Sequence, residues 1–441
     1  MLKKNISSIK INTSGESGFY AVDLPGTDAT LTIEDFVNKQ NVIGQFALVS
    51  EGKKGVFEAV RDPLGIGKLF YTRLDNGELL FSSQWPKLLP HGRPVYAVPR
   101  GKQVRLSNDG ERTLIKQLAP QTDMTRIFAD AKFRTEDEFN SCTEGVLFKT
   151  ALSERLEAAF QVISALETDG FTVFIALSGG LDSSIIARAA VKYLQAPIAC
   201  TLDLGRSEDA EKSALITRAI GIKQIIFGTS ETEILAAVDE APLLCQDYRD
   251  FNVHCTALNI LLARNIKDLA RKMNVPAGKA IVLTGDTMNE FTCDYHEENV
   301  DGTIYYRLPR VDKKMLQMML IGGLDTSDRE LLPFSTYGLS CIQPFAAAYD
   351  LYSALPEYLF EIEDVKRILN GHLVPSEVLM LLPKSKLRAQ VGSKESMGVL
   401  GLCHHRKITE RTFLEKLLGN KDPQKHLVPI TMGRYETEMF N

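Results

Sequence analysis

Between residues 171 and 228 short apolar runs alternate with amphipathic ones, and this alternation constrains the fold more than any other feature of the chain. "FTVFIAL", "IACTLDL" and "KQIIFG" have the length and β-branched content of buried strands. "SSIIARAAVKYL" and "EDAEKSALITRAIG" between them carry helical spacing of apolar residues. Strands joined by crossover helices form a parallel sheet with helices packed on its faces. The long helical run "ALNILLARNIKDLARKM" and the strand "KAIVLTG" continue the pattern.

The first strand runs directly into "SGGLDSS", residues 178–184, which opens a helix. Free backbone N–H groups and the dipole at a helix N-terminus favour an anion, above all phosphate. Gly179 and Gly180 allow close backbone approach, Leu181 belongs to the same loop, and the hydroxyls of Ser178, Ser183 and Ser184 can donate to phosphate oxygens. Asp182 repels phosphate unless a Mg²⁺ ion bridges the two. No lysine follows as in the GxxxxGK[ST] loop.

The chain has 441 residues, enough for two or three domains, and a net charge of −5. That charge argues against a nucleic-acid partner, and no apolar run is long enough for a membrane span. Seven cysteines, none in a CxxC pair, point to reduced thiols in a cytoplasmic protein. Residues 1–120 read as β-rich, with an Asn-Gly hairpin signal at Asn76 and Gly77. Residues 121–145 read as a linker, 146–415 as the α/β domain with a helical extension, and 416–441 as a C-terminal tail.

"SGGLDSS" resembles the pyrophosphate loop of the N-type ATP pyrophosphatases, which cleave ATP between the α and β phosphates. Three further stretches, "VRDPLGIGKLFY" (60–71), "IVLTGDTMNE" (281–290) and "LLPKSKLRAQVG" (381–392), are similar in order and spacing to segments of the asparagine synthetase B-type family. The resemblance implies an N-terminal α+β layered sandwich like that of N-terminal nucleophile hydrolases. An α/β parallel-sheet ATP pyrophosphatase domain with a helical C-terminal extension would follow it. ATP and Mg²⁺ are the implied cosubstrate and metal.

Glutamine-dependent members carry a cysteine after the initiator methionine; here that position is Leu2, and the first cysteine is Cys142. A leucine offers no nucleophile, so ammonia cannot be released from glutamine by that route. The loss resembles the β-lactam synthetase and carbapenam synthetase branch, in which an amine already on the substrate captures an acyl-adenylate. "YRLPRVDKKMLQMMLIGGLD" (306–325) also looks more like that branch.

The resemblance places a catalytic lysine at Lys384, with Lys386 as its close competitor. Asp286 falls where asparagine synthetases have glutamate and β-lactam synthetases have tyrosine. A carboxylate there can act as general base, bind a substrate ammonium or shape a turn. Its partner acid is Asp328 when counted from "PF" and Asp325 when counted from "RLP". Arg329 can contact phosphate or pair with a neighbouring acid. Asn289 stands where the family has a Mg²⁺-binding aspartate, and Glu290 could supply the missing carboxylate. Leu202 is the expected adenine contact and Gly285 an expected contact near the AMP. His404 and His405 show no metal-ligand spacing.

The resulting expectation is an AMP-forming carbon–nitrogen ligase that closes a lactam on an amino-acid-derived small molecule, in antibiotic or toxin biosynthesis. A homodimer is compatible with it. The alternatives are a lasso-type peptide cyclase, an intermolecular amide synthetase and a non-catalytic ATP-binding protein. Transfer RNA thiolation is disfavoured by the missing cysteine pairs.

Overall fold

A computed structural model describes residues 19–22, 44–52, 55–83, 88–118, 128, 133–204, 208–322, 326–382, 391 and 398–418. Leu2, Asp325, Lys384 and Lys386 lie outside these residues.

The N-terminal part builds two antiparallel sheets. One has five strands in the spatial order Phe19–Val22, Ala47–Glu51, Val56–Arg61, Lys102–Ser107 and Arg112–Gln117. The other orders Leu79–Ser82, Phe70–Arg73 and Val95–Ala97. The expected Asn-Gly turn joins Phe70–Arg73 to Leu79–Ser82, with Gly77 at φ 83°. Val49, Phe57, Tyr71, Phe81 and Val104 close a buried core in this part. Of the expected α+β sandwich, the described residues show these two sheets.

The segment "VRDPLGIGKLFY" (60–71) is a structural knot here. The Arg61 guanidinium donates to the carbonyls of Gly65, Gly67 and Val98 at 2.9, 2.8 and 2.7 Å. The buried Asp62 carboxylate accepts the N–H groups of Phe46, Ile66 and Gly67. Together they fold the loop that carries Leu64 and Ile66 into the core of the following domain.

That domain is built on a five-stranded sheet in which every pairing is parallel. Its order is Lys223–Gly228, Ile198–Asp203, Thr172–Ala176, Ala280–Leu283, Ser340–Ile342. The first strand in sequence is therefore central. The chain winds outward from it in one direction, then returns and winds out in the other. At such a reversal the crossover connections part and leave a crevice at the carboxyl ends of the strands.

The stretch read as a linker is structured in its second half. Helix Glu136–Ser141 is capped by the Thr135 hydroxyl, helix Thr143–Thr168 follows, and Phe133 and Phe139 are fully buried. Polar composition misled there because the aromatic residues are spaced singly among charges. A helix at Glu231–Cys245, closed at its start by a Ser230–Glu233 capping box, was also not expected. Among the described residues no helix is long and apolar enough to cross a membrane.

Candidate functional site

A pocket of about 750 Å³ opens at the carboxyl ends of the central strands. Its walls bring together Ser178–Asp182 except Gly179, Leu202, Gly285, Asp286, Asn289, Arg329 and Lys366. The volume lies in the range of small-molecule sites.

The loop is set by its own serines. Ser183 and Ser184 Oγ donate to the Gly180 carbonyl at 3.1 and 2.7 Å, and the Ser178 N–H reaches Ser183 Oγ at 3.3 Å. These bonds bend the chain from strand Thr172–Ala176 into helix Leu181–Tyr193, with Gly179 at φ 74°. Gly180 caps that helix without a side-chain bond, and the first N–H groups of a helix have no acceptor within the helix itself. Gly285 must be glycine for a steric reason. A Cβ there would lie 2.8 Å from the Ser183 nitrogen and 3.0 Å from Asp182 Cβ. The strand end at 283–286 is thus pressed against the first turn of the loop's helix.

One residue here was missed by sequence reading. The Lys366 ammonium lies 2.5 Å from Asp182 Oδ2, 2.6 Å from Asn289 Oδ1 and 3.0 Å from Asp294 Oδ2. Burial alone would lower its pKa, but Asp182 and Asp294 hold it above the ordinary lysine value. A lone lysine at the start of helix Val365–Asn370 carries no local signal of this role.

Three oxygens converging on one cation are the hard-donor set Mg²⁺ takes, with phosphate oxygens and water completing the shell. Asp182 and Asn289 therefore fit the metal expected there. Glu290 does not. Its Oε1 accepts from Arg329 Nη2 at 2.9 Å and from the Tyr295 hydroxyl at 2.5 Å, and it does not line the pocket. The reason is helical geometry: neighbours in helix Met288–Thr292 point about 100° apart, so Asn289 faces the pocket and Glu290 the interior. Among the described residues no group of three His, Cys, Asp or Glu side chains could hold a metal.

Asp286 stands on the pocket wall. Burial raises its carboxyl to about 7, against the pull of Arg329; Glu290 and Asp182 add to the rise and Lys366 opposes it. Arg329 is fixed from three sides. It pairs with Glu290, donates to Asn252 Oδ1 at 3.1 Å and lies 5.0 Å from the centre of the Phe251 ring. Of the two readings of Arg329, pairing with an acid is what the structure shows. Asp328 belongs to helix Thr326–Thr336, which also carries Glu330. Glu330 lines the pocket and accepts from the Thr284 hydroxyl at 2.6 Å. His404 Nδ1 lies 2.9 Å from the Tyr305 hydroxyl and shares a hydrogen bond with it.

A parallel α/β sheet, a helix start at its switch point and a pocket shared with a buried carboxyl define an α/β domain with its crevice at the carboxyl ends of the strands. Residues 159–316 match the family model described as asparagine synthase. The match makes this segment of the parallel-sheet domain similar to that family. A comparison with the curated proteins gives no match. Among solved structures the chain is similar to "Structure of NMN synthetase from Francisella tularensis", at 16% identity, over 53% of this chain and 90% of that one, with a TM-score of 0.26. That likeness is too slight to argue from.

Proposed function

We propose that the protein is an ATP- and Mg²⁺-dependent ligase that adenylates a substrate carboxylate, releases pyrophosphate and closes an intramolecular amide on an amino-acid-derived small molecule. One observation carries this reading: a single pocket joins the anion-binding loop to a carboxyl, Asp286, poised near neutral pH. The loop N–H groups and Lys366 receive the phosphates of ATP. Mg²⁺ held by Asp182 and Asn289 would neutralise phosphate charge as the α–β bond breaks.

A substrate ammonium is not a nucleophile until it loses a proton. A carboxyl near 7 exists in both forms at neutral pH and can take that proton. The freed amine then attacks the acyl carbon, the acyl C–O bond breaks and AMP departs; the first proton remains on Asp286 and the nitrogen's second proton passes to the departing phosphate. In this reading Lys384 stabilises the charge developing at the adenylate, and Asp328 stays the partner acid expected for Asp286. Leu2 in place of the glutaminase cysteine supports an amine that comes with the substrate and not from glutamine. The pocket volume favours a small substrate over a peptide. The proposed setting is cytoplasmic and biosynthetic, toward an antibiotic or toxin.

The test is incubation with ATP, Mg²⁺ and a panel of β- and δ-amino acids. Pyrophosphate, AMP and a product lighter by one water are expected. No pyrophosphate with any of them removes the small-ring reading. ATP binding without AMP formation would indicate a non-catalytic nucleotide-binding protein, and co-purification with a precursor peptide a macrolactam cyclase.

A further inference from the structure

The N-terminal part touches the pocket through a buried chain of hydrogen bonds. Gln45, just ahead of strand Ala47–Glu51, donates from Nε2 to the Cys341 carbonyl at 2.9 Å. Its Oε1 accepts the Gln343 N–H at 3.1 Å. One side-chain amide thus reads both the acceptor and the donor of the backbone leaving strand Ser340–Ile342. Gln343 Nε2 in turn donates to Glu330 Oε2 at 2.9 Å, and the same oxygen accepts from Thr284 Oγ1. The Thr284 N–H closes the loop on the Ile342 carbonyl at 3.1 Å. Gln45, Gln343, Glu330 and Thr284 are all buried, and Thr284 leads directly into Gly285 and Asp286.

The junction around this chain is packed like a core. At Gly44 a Cβ would sit 2.2 Å from the Ala346 carbonyl oxygen, so the two parts meet backbone to backbone. Leu64 and Ile66 complete the larger domain's core, and Arg100 donates to the Ile321 carbonyl at 2.9 Å.

From this geometry we infer that Gln45 is a positioning residue of the ligase site. It fixes Gln343, which orients Glu330, which with Ile342 holds the Thr284–Asp286 segment at the pocket wall. The inference rests on the function proposed for that pocket. It gives the N-terminal part a use that needs no glutaminase chemistry: it is the far wall of the machinery that aims Asp286. A glutamine suits this place because no apolar residue could satisfy the Gln343 N–H and the Cys341 carbonyl, both out of reach of water.

The experiment compares Gln45→Met, which keeps the volume and loses both bonds, with Gln45→Glu, which keeps only the acceptor. Glu330→Gln and the Gln45→Met/Glu330→Gln pair complete the cycle. Amide hydrogen exchange is followed over residues 282–290 and over strand Thr172–Ala176 as an internal reference. Turnover is measured with ATP and ornithine as the amine probe. Gln45→Met should speed exchange at 282–290 about tenfold with the reference unchanged, and lower kcat by about 10–100-fold with KM for ATP unchanged. Gln45→Glu should be no milder than Gln45→Met, because its carboxylate would be buried against the Cys341 carbonyl without a countercharge. The double variant should be no worse than Glu330→Gln alone. Faster exchange everywhere, unchanged exchange at 282–290, or effects that simply multiply in the double variant would each overturn the inference. The exchange arm stands whether or not ornithine turns over, so failure of the proposed function and failure of this coupling remain distinguishable.

Discussion

Lys366 Nζ lies 2.5 Å from Asp182 Oδ2, so the residue expected to draw Mg²⁺ to the phosphate loop already holds a protein cation. The lysine offsets part of the charge that Asp182 and Asp294 bring to the pocket. An ammonium and a hydrated Mg²⁺ cannot share the same oxygen at full strength. Phosphate offers the lysine a second partner and so releases the carboxylate.

Free divalent metal should therefore bind poorly without nucleotide. Electron paramagnetic resonance with Mn²⁺ should show weak binding to the wild type and stronger binding once pyrophosphate is added. Lys366→Met should bind Mn²⁺ without pyrophosphate and lose at least about 100-fold in ATP cleavage, the scale of removing a charge-stabilising donor. Asp182→Asn should lose Mn²⁺ binding in both states. If Asp182→Asn keeps full Mg²⁺-dependent turnover, the metal assignment is wrong.

Asp286 makes a prediction in pH. Its proton-accepting form grows as pH rises through about 7, so kcat should climb across that range and level off above it. Stability runs the other way. A carboxyl raised from 3.8 to about 7 favours the folded state below pH 4, and that benefit is lost as pH climbs to 7. The loss is on the order of 1–3 kcal/mol, less than the full difference implies because the group faces the pocket. Asp286→Asn should abolish turnover, raise Tm at pH 8 and flatten Tm between pH 4 and 7. A Tm unchanged at pH 8 would sink the assignment of a strained carboxyl.

What could be read in the sequence divides along contact distance. The strand–loop–helix turn at 178–184 was legible because its glycines and serines are consecutive and a strand and a helix flank it. The parallel sheet was legible from the alternation of periods, except for Ser340–Ile342, too short to show one. Lys366 was not legible, because its three oxygen partners come from two other segments, at 182 and at 289–294, that only the fold assembles. Glu290 was misread because two adjacent acceptor positions look alike in a string and point apart on a helix. Gln45 and Gln343 carry no motif at all; their meaning is a matching of one amide to another strand's backbone.

The Arg329–Glu290 pair should be structural as well as electrostatic. Both side chains are almost fully buried, and Glu290 Oε2 has no hydrogen-bond partner among the described residues. Arg329→Met would leave a buried carboxylate uncompensated and should cost about 3–5 kcal/mol. Arg329→Met/Glu290→Gln removes that charge and should recover a large part of the loss. Urea unfolding of the three proteins decides it; equal destabilisation in single and double variants would contradict the buried-charge account.

Gly285→Ala tests the steric coupling between the strand end and the loop. The new methyl meets the backbone nitrogen of Ser183 and the carbonyl carbon and Cβ of Asp182, none of which can rotate away. Something must move, and the first turn of helix Leu181–Tyr193 is the freer side, because the strand end is held by Thr284 to Glu330 and Ile342. Displacing the helix start by even a few tenths of an ångström misaligns the N–H groups that receive the anion. Overall stability should change little beyond about 1–3 kcal/mol, the usual range for overpacking. Affinity for ATP and for pyrophosphate should fall together by about tenfold or more, as read by isothermal titration calorimetry. Loss of ATP affinity with pyrophosphate affinity intact would place the glycine at the nucleoside and not at the phosphate loop.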